Sequence, residues 1–224
     1  MYKKLLLAIS LILCATLLPA QDIRYFFKII SDSYYFDDLD SNARNSLLQG
    51  KDFYPVNNDS EQTVVYQLAA LDTKRNFLRI EASFKTGQAG YWTIEVRSFK
   101  TKTGNSIVVL SAVGGAHRMF TQNEFIVYSY SKSRGMVKTN THGLIPNVSI
   151  KNFIKPNTPD SMVKKYDSYS SIGYELGYKG GNITLHLTED FDLGNLDRKW
   201  LLGDAIEFVW TGDHFARHKP LFKN

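Results

Sequence analysis

Phe77-Leu78-Arg79-Ile80-Glu81-Ala82-Ser83-Phe84, followed closely by Trp92-Thr93-Ile94-Glu95-Val96-Arg97, decides how this chain is read. In the first run Leu78, Ile80, Ala82 and Phe84 alternate with Phe77, Arg79, Glu81 and Ser83. In the second, Trp92, Ile94 and Val96 alternate with Thr93, Glu95 and Arg97. A period of two sends successive side chains to opposite faces, so both runs predict half-buried β-strands with a polar outer face. Two further runs flank them, residues 64–71 and 106–113. In the latter, Ile107-Val108-Val109-Leu110 is apolar on both faces, which predicts a covered, central strand. The separators 72–76 and 100–105 are short enough for hairpins, so residues 63–113 read as an antiparallel meander.

Outward from the meander, strand pairs are expected at 124–130 with 136–139, at 172–178 with 182–187, and at 205–210 with 214–218. Gly114-Gly115 and Gly180-Gly181 read as turn glycines. Helical spacing of Ile23, Phe26, Phe27 and Ile30 behind Asp22 predicts a first helix. Asp40 or Ser41 caps a second through Leu48, and Pro159 starts a third through Tyr166. Shorter helical turns are expected at 150–154 and 196–202, and the proline-bearing stretch 141–160 is the best lobe boundary. The fold class is therefore α+β, mainly antiparallel sheet with short packed helices. The expected organisation is a leader at 1–20, helices and meander at 21–140, and a helix-plus-hairpin lobe at 141–224, within one domain or as two fused lobes.

The first twenty residues carry the address. Lys3 and Lys4 precede an apolar run at 5–18, and Leu18-Pro19-Ala20 supplies a small-residue cleavage site. That is the pattern of a secretory signal peptide, with a core too short for a comfortable membrane span. Cys14 as a lipidation site is the rival, but Leu13 stands where a lipobox needs a small residue. Cleavage after Ala20 leaves 204 of the 224 residues, beginning at Gln21. The mature chain then has no cysteine and must be held by its core alone. Loss of Lys3 and Lys4 takes the formal charge from +5 to +3, with acids and bases interspersed. So small an excess gives no nucleic-acid footprint, and no later run approaches a transmembrane segment.

Local motifs for chemistry are sparse. Ser161-Met-Val-Lys164 matches the Ser-x-x-Lys of penicillin-binding proteins, but Lys85-Thr-Gly87 and Lys102-Thr-Gly104 precede it, the reverse of that family's order. Asp38, Asp40 and Asn42 occupy oxygen-ligand positions of a calcium loop, but Ala43 and Gln49 stand where Gly and Glu belong, and helix capping explains the same residues. Asp190, Asp192 and Asp197 read as a turn leading into a helix. His214 and His218 lie about 13 Å apart along a strand, too far for one zinc. His117, His142 and His186 have no close partner in sequence. No catalytic residue, metal ligand or cofactor site is expected on these grounds.

Thirteen Tyr, fourteen Phe and three Trp make the chain aromatic-rich. Tyr166, Tyr169, Tyr174 and Tyr178 are the densest group and form the candidate stacking platform for a glycan or a partner protein. Their competing role is to cover the sheet.

Ala20-Gln21, the aromatic helix at 23–30, Asp32-Ser33, the charged stretch 196–199 and the final Val209-Trp-Thr-Gly-Asp-His-Phe215 together form a recognisable layout. It resembles that of the small secreted proteins of unknown function encoded widely in Bacteroides and its relatives. The resemblance implies an envelope address and carries no activity with it. The expectation is an exported periplasmic, surface or secreted protein, a non-catalytic module binding a polymer or envelope protein. The alternative is a small exported hydrolase with dispersed catalytic residues.

Overall fold

The computed structural model describes residues 21–31, 36–55, 64–84, 92–116, 119–177, 182–189 and 198–222. The expected leader, Cys14, Asp32-Ser33, His117, Tyr178, Gly180-Gly181 and Asp190–Asp197 lie outside those residues. Among the described residues two helices come first, α1 (Ile23–Ile29) and α2 (Ser41–Leu48). Asp22 caps α1 by accepting from the Arg24 and Tyr25 amides, and Asp40 caps α2 by accepting from the Ala43 amide. Asp40 thus serves as the helix cap that the partial calcium loop offered as its alternative.

Six strands follow as one antiparallel meander: β1 (Val64–Asp72), β2 (Phe77–Phe84), β3 (Trp92–Lys100), β4 (Ser106–Ala116), β5 (Met119–Ser131) and β6 (Gly135–Thr139). β4 is interior, as its apolar run requires. It runs straight through Gly114-Gly115, where the pairing with β5 shifts register. Those glycines mark an irregularity within a strand pair and not a turn, which their lack of side chains permits. A 3₁₀ turn at Ile150–Asn152 leads to α3 (Asp160–Tyr169), then β7 (Ser170–Glu175) and β8 (Asn182–Glu189). A second 3₁₀ turn at Arg198–Trp200 precedes β9 (Ala205–Trp210) and β10 (Phe215–Arg217). These four strands form a second antiparallel sheet in the order β10-β9-β8-β7. The molecule is α+β with mainly antiparallel sheet, and no helix among the described residues is long and apolar enough to cross a membrane.

The strand period sorts the six-stranded sheet between two cores. Leu78, Ile80, Ala82, Ile94, Val96, Val108 and Leu110 pack with Ile23, Phe26, Phe27 and Leu47 of the helices. Phe77, Phe99, Val109 and Val127, from the opposite face, pack with Ile183, Leu185, Ile206 and Phe208 of the second sheet. Ile145, Ile150, Phe153 and Ile154 of the expected boundary stretch join that second core. The Leu202 amide donates to the Phe153 carbonyl and the Phe215 amide to that of Leu144, tying the stretch to residues on either side of β9. The resulting order of layers is helices, six-stranded sheet, four-stranded sheet.

One expectation is corrected here. The polar face of β2 and β3, expected to meet solvent, lies under the second sheet: Glu95 is 3 % exposed and Arg97 4 %. Alternation marks one apolar face, but it cannot show whether another layer covers the polar one.

Candidate functional site

Charged side chains buried between two sheets must find partners, and these find one another. Arg79 and Glu95 are directly opposite in the β2–β3 register. The Arg79 guanidinium donates from Nε at 2.8 Å and from Nη2 at 2.5 Å to Glu95 Oε1. The other carboxylate oxygen accepts from the Leu176 amide at 2.6 Å, across the layer boundary. Burial pushes the Glu95 carboxyl up, against the pull of Arg79 and that amide. Burial opposes charge on Arg79 also, but Glu95 and then Glu175 outweigh it and hold the guanidinium protonated. All three contacts to Glu95 are donors, so the geometry holds an ionised pair.

The second sheet contributes the other half. His186 of β8 stands opposite Gly173 of β7, which has no side chain to block it. The imidazole is therefore free to reach diagonally to Glu175, whose Oε2 lies 2.8 Å from His186 Nε2. Glu175 Oε1 lies 3.6 Å from Arg79 Nη2, so Arg79 sits between carboxylates from both sheets. The backbone of β7 and of the two residues that follow it is tied down as well. Ser111 Oγ donates to the Tyr174 carbonyl at 2.5 Å, and Arg97 Nη1 donates to those of Leu176 and Gly177 at 2.6 Å each. Side chains of the first sheet thus occupy backbone groups that an edge strand would otherwise leave open.

Between the sheets this network leaves a cleft with a cavity volume of about 260 Å³. Arg79, Glu81, Glu95, Glu175, His186 and Tyr174 line it, with Thr93 and Ser111. Tyr174 also lines a broader groove next to it, with Phe125, Asn140, His142, Asn147 and His214. The Tyr174 ring stacks on Phe125 with centroids 3.8 Å apart and planes at 26°. Burial pushes its hydroxyl up from the ordinary tyrosine range. Cleft and groove therefore meet at one aromatic side chain.

The four expected platform residues are distributed differently. Tyr174 is half-buried at this junction, whereas Tyr166 is 0 % exposed and belongs to the second core. Spacing along α3 directs Tyr166 inward, so its ring is not part of a surface platform. Tyr169 is the last residue of α3, and Tyr178 lies outside the described residues. Ser161 and Lys164 both lie exposed on α3. His214 bonds within its own turn, 3.3 Å from Thr211 Oγ1. Arg79, Glu95, Glu175 and His186 escape a reading of single motifs because their partners lie on other strands. The available signal was weak: opposite charges at matching positions of neighbouring strands.

Comparison with protein-family models gives no match, and comparison with curated proteins gives none either. Among solved structures the chain is similar to a domain of an uncharacterized protein from Porphyromonas gingivalis W83. The TM-score is 0.62 at 15 % identity, over 88 % of this chain and 97 % of that domain. At that identity the likeness shows the fold, shared with a protein of a Bacteroidetes bacterium.

Proposed function

We propose that the protein is exported to the bacterial envelope or beyond, and that it is a non-catalytic module binding a glycan in the groove beside Tyr174. The signal-peptide pattern of residues 1–20 supports the address. The observation that carries the binding reading is the Phe125–Tyr174 stack in a groove flanked by Asn140 and Asn147. Aromatic rings lining a groove offer apolar surface to a sugar, and side-chain amides both donate to and accept from its hydroxyls. The runner-up, a small exported hydrolase, is favoured by the Glu175–His186 pair. Against it, the Ser111 hydroxyl in the same cleft already donates to a backbone carbonyl.

The test is titration with neutral cello-, xylo- and chito-oligosaccharides, followed by amide shifts of residues 140–147 and 174. At least one series should produce saturable shifts in the groove, with an affinity that Tyr174→Ala weakens by about tenfold, the effect of losing about 1.4 kcal/mol of stacking. Unmoved groove amides with every series would sink the glycan reading. Shorter oligosaccharides accumulating in the mixture would establish the hydrolase instead.

A further inference from the structure

We infer that the groove between the start of α1 and the β3–β4 and β5–β6 hairpins is a subsite for a sulfate or phosphate ester group on a soluble ligand. It shares no lining residue with the groove beside Tyr174, so it stands apart from the glycan reading.

Acids and bases that are interspersed along the sequence are sorted by the fold. In an antiparallel meander alternate hairpins lie at the same end of the sheet, so β1–β2, β3–β4 and β5–β6 turn together. Their loops carry Lys74, Arg75, Lys100, Lys102, Lys132 and Arg134 against one acid, Asp72. The acids that meet this end are each taken by one cation: Asp72 pairs with Arg75, Asp213 with Lys102 and Asp22 with Arg24. Lys74, Lys100, Lys132 and Arg134 have no ion pair among the described residues. In the chain cleaved after Ala20, the α-amino group of Gln21, which lines the groove, adds to the same sign.

Two of the unpaired cations, Lys100 and Lys132, converge on the groove from adjacent hairpins. Its cavity volume is about 850 Å³. Lys100, Ser106 and Tyr130 stand opposite one another across β3, β4 and β5, so they share a face in the last row of the sheet. Lys100 Nζ donates to Ser106 Oγ at 3.1 Å, and Ser106 is 1 % exposed. The ammonium is thus held by a buried neutral acceptor and keeps its remaining N–H donors and its whole charge for a ligand. The one acid lining the groove does not cancel it. Asp22 accepts from Arg24 Nε at 2.9 Å, from Arg24 Nη2 at 2.5 Å and from the Arg24 amide at 3.0 Å. Two ammonium groups without counter-charge, with the Ser133 hydroxyl beside them, offer several donors to one centre. A sulfate or phosphate ester has several acceptor oxygens around one charge and matches that set. A concave recess suits a discrete group of this kind, whereas a membrane surface needs a flat or convex face.

The experiment is a titration of the mature protein, residues 21–224, with glucose 6-sulfate, glucose 6-phosphate and, as neutral control, glucose. Ionic strength is held constant with sodium chloride, so that general screening does not change along the titration. The amides of Lys100, Asn105, Ser131 and Lys132 are followed. At least one ester should give saturable shifts there, and glucose none. Lys132→Gln, at an exposed turn position that does not endanger folding, should weaken the ester about two- to fivefold, as expected for one exposed charge pair. Lys100→Gln should do the same. Lys74→Gln, at the same end of the sheet but outside the groove, should leave the affinity unchanged. Unmoved groove amides with both esters, equal shifts with glucose, or a loss in Lys74→Gln as large as in Lys132→Gln would each overturn the assignment. So would binding to phosphatidylglycerol vesicles with neither ester moving the groove, which would make the basic end a membrane contact. Failure of the glycan reading instead leaves residues 140–147 unmoved by oligosaccharides and does not touch the ester result.

Discussion

At the scale of single residues, Arg79 is the position where stability and the cleft meet. Its side chain is 25 % exposed while that of its partner Glu95 is 4 % exposed, so removing the arginine strands a carboxylate under the second sheet. Breaking such a pair from one side destabilises by about 3–5 kcal/mol, because the remaining carboxylate keeps the Leu176 amide but loses its counter-charge. Arg79→Ala should fall near the lower figure, since the cleft admits some water to the vacated space. The pH dependence has a definite sign. Burial already raises the Glu95 carboxyl, and without Arg79 it rises further above its unfolded value. A carboxyl with a raised folded pKa binds its proton more readily in the native state, so the deficit is full above that pKa and shrinks as pH falls through it. Urea melts of Arg79→Ala and wild type should therefore converge on acidification from neutral pH. A gap that stays constant or widens would show that Glu95 is not the source. Arg97 differs in kind: it binds two carbonyls, its Nε is buried without a hydrogen bond, and burial lowers its pKa.

At the scale of elements, helix α1 shows how a seven-residue segment is held in place. So short a helix is not stable alone, and its ends must be satisfied from outside. Asp22 holds the N-terminus, and Arg44 from α2 holds the C-terminus by donating to the carbonyls of Phe27, Lys28 and Ile30, as well as Leu39. Burial lowers the Arg44 pKa, yet the position accommodates charge because helix carbonyls surround it. Arg44→Leu should cost about 2–4 kcal/mol by leaving several buried acceptors without donors, whereas Arg44→Lys should recover part of it. Equal midpoints for Arg44→Leu and wild type in guanidinium melts would refute the clamp. Asp22 was legible in the sequence because a cap acts on amides two and three residues away. Arg44 was not, because its acceptors lie 5 to 17 residues back and nothing local marks an arginine that turns inward. The strands divide the same way. β4 was legible as central from four consecutive apolar residues, and the β2–β3 pairing from alternation. The burial of Glu95 and Arg97 was not, since it depends on a sheet about eighty residues further along the chain. For the candidate site the sequence identified Tyr174 and left its charged neighbours unassigned.

At the scale of the whole molecule, the six-stranded sheet has no free face over its central strands. Helices cover one side and the second sheet the other, so the first sheet contributes side chains to both cores. Phe77 is the clearest case: fully buried, it lies in β2 and packs into the core formed with β8 and β9. Leu78 beside it enters the other core. Two cores that share a backbone in this way are not energetically independent, because separating the second sheet exposes Glu95, Arg97 and Phe77 together. The molecule should therefore unfold as one cooperative unit. Phe77→Ala should cost about 3–5 kcal/mol, as large core truncations do. Global opening governs exchange of the slowest amides, so the loss should appear equally in β4, at Val108 and Leu110, and in β8, at Ile183 and Leu185. Native-state hydrogen exchange on Phe77→Ala reads both at once. Protection lost in β8 alone, with β4 at its wild-type value, would show a second sheet that opens independently of the first.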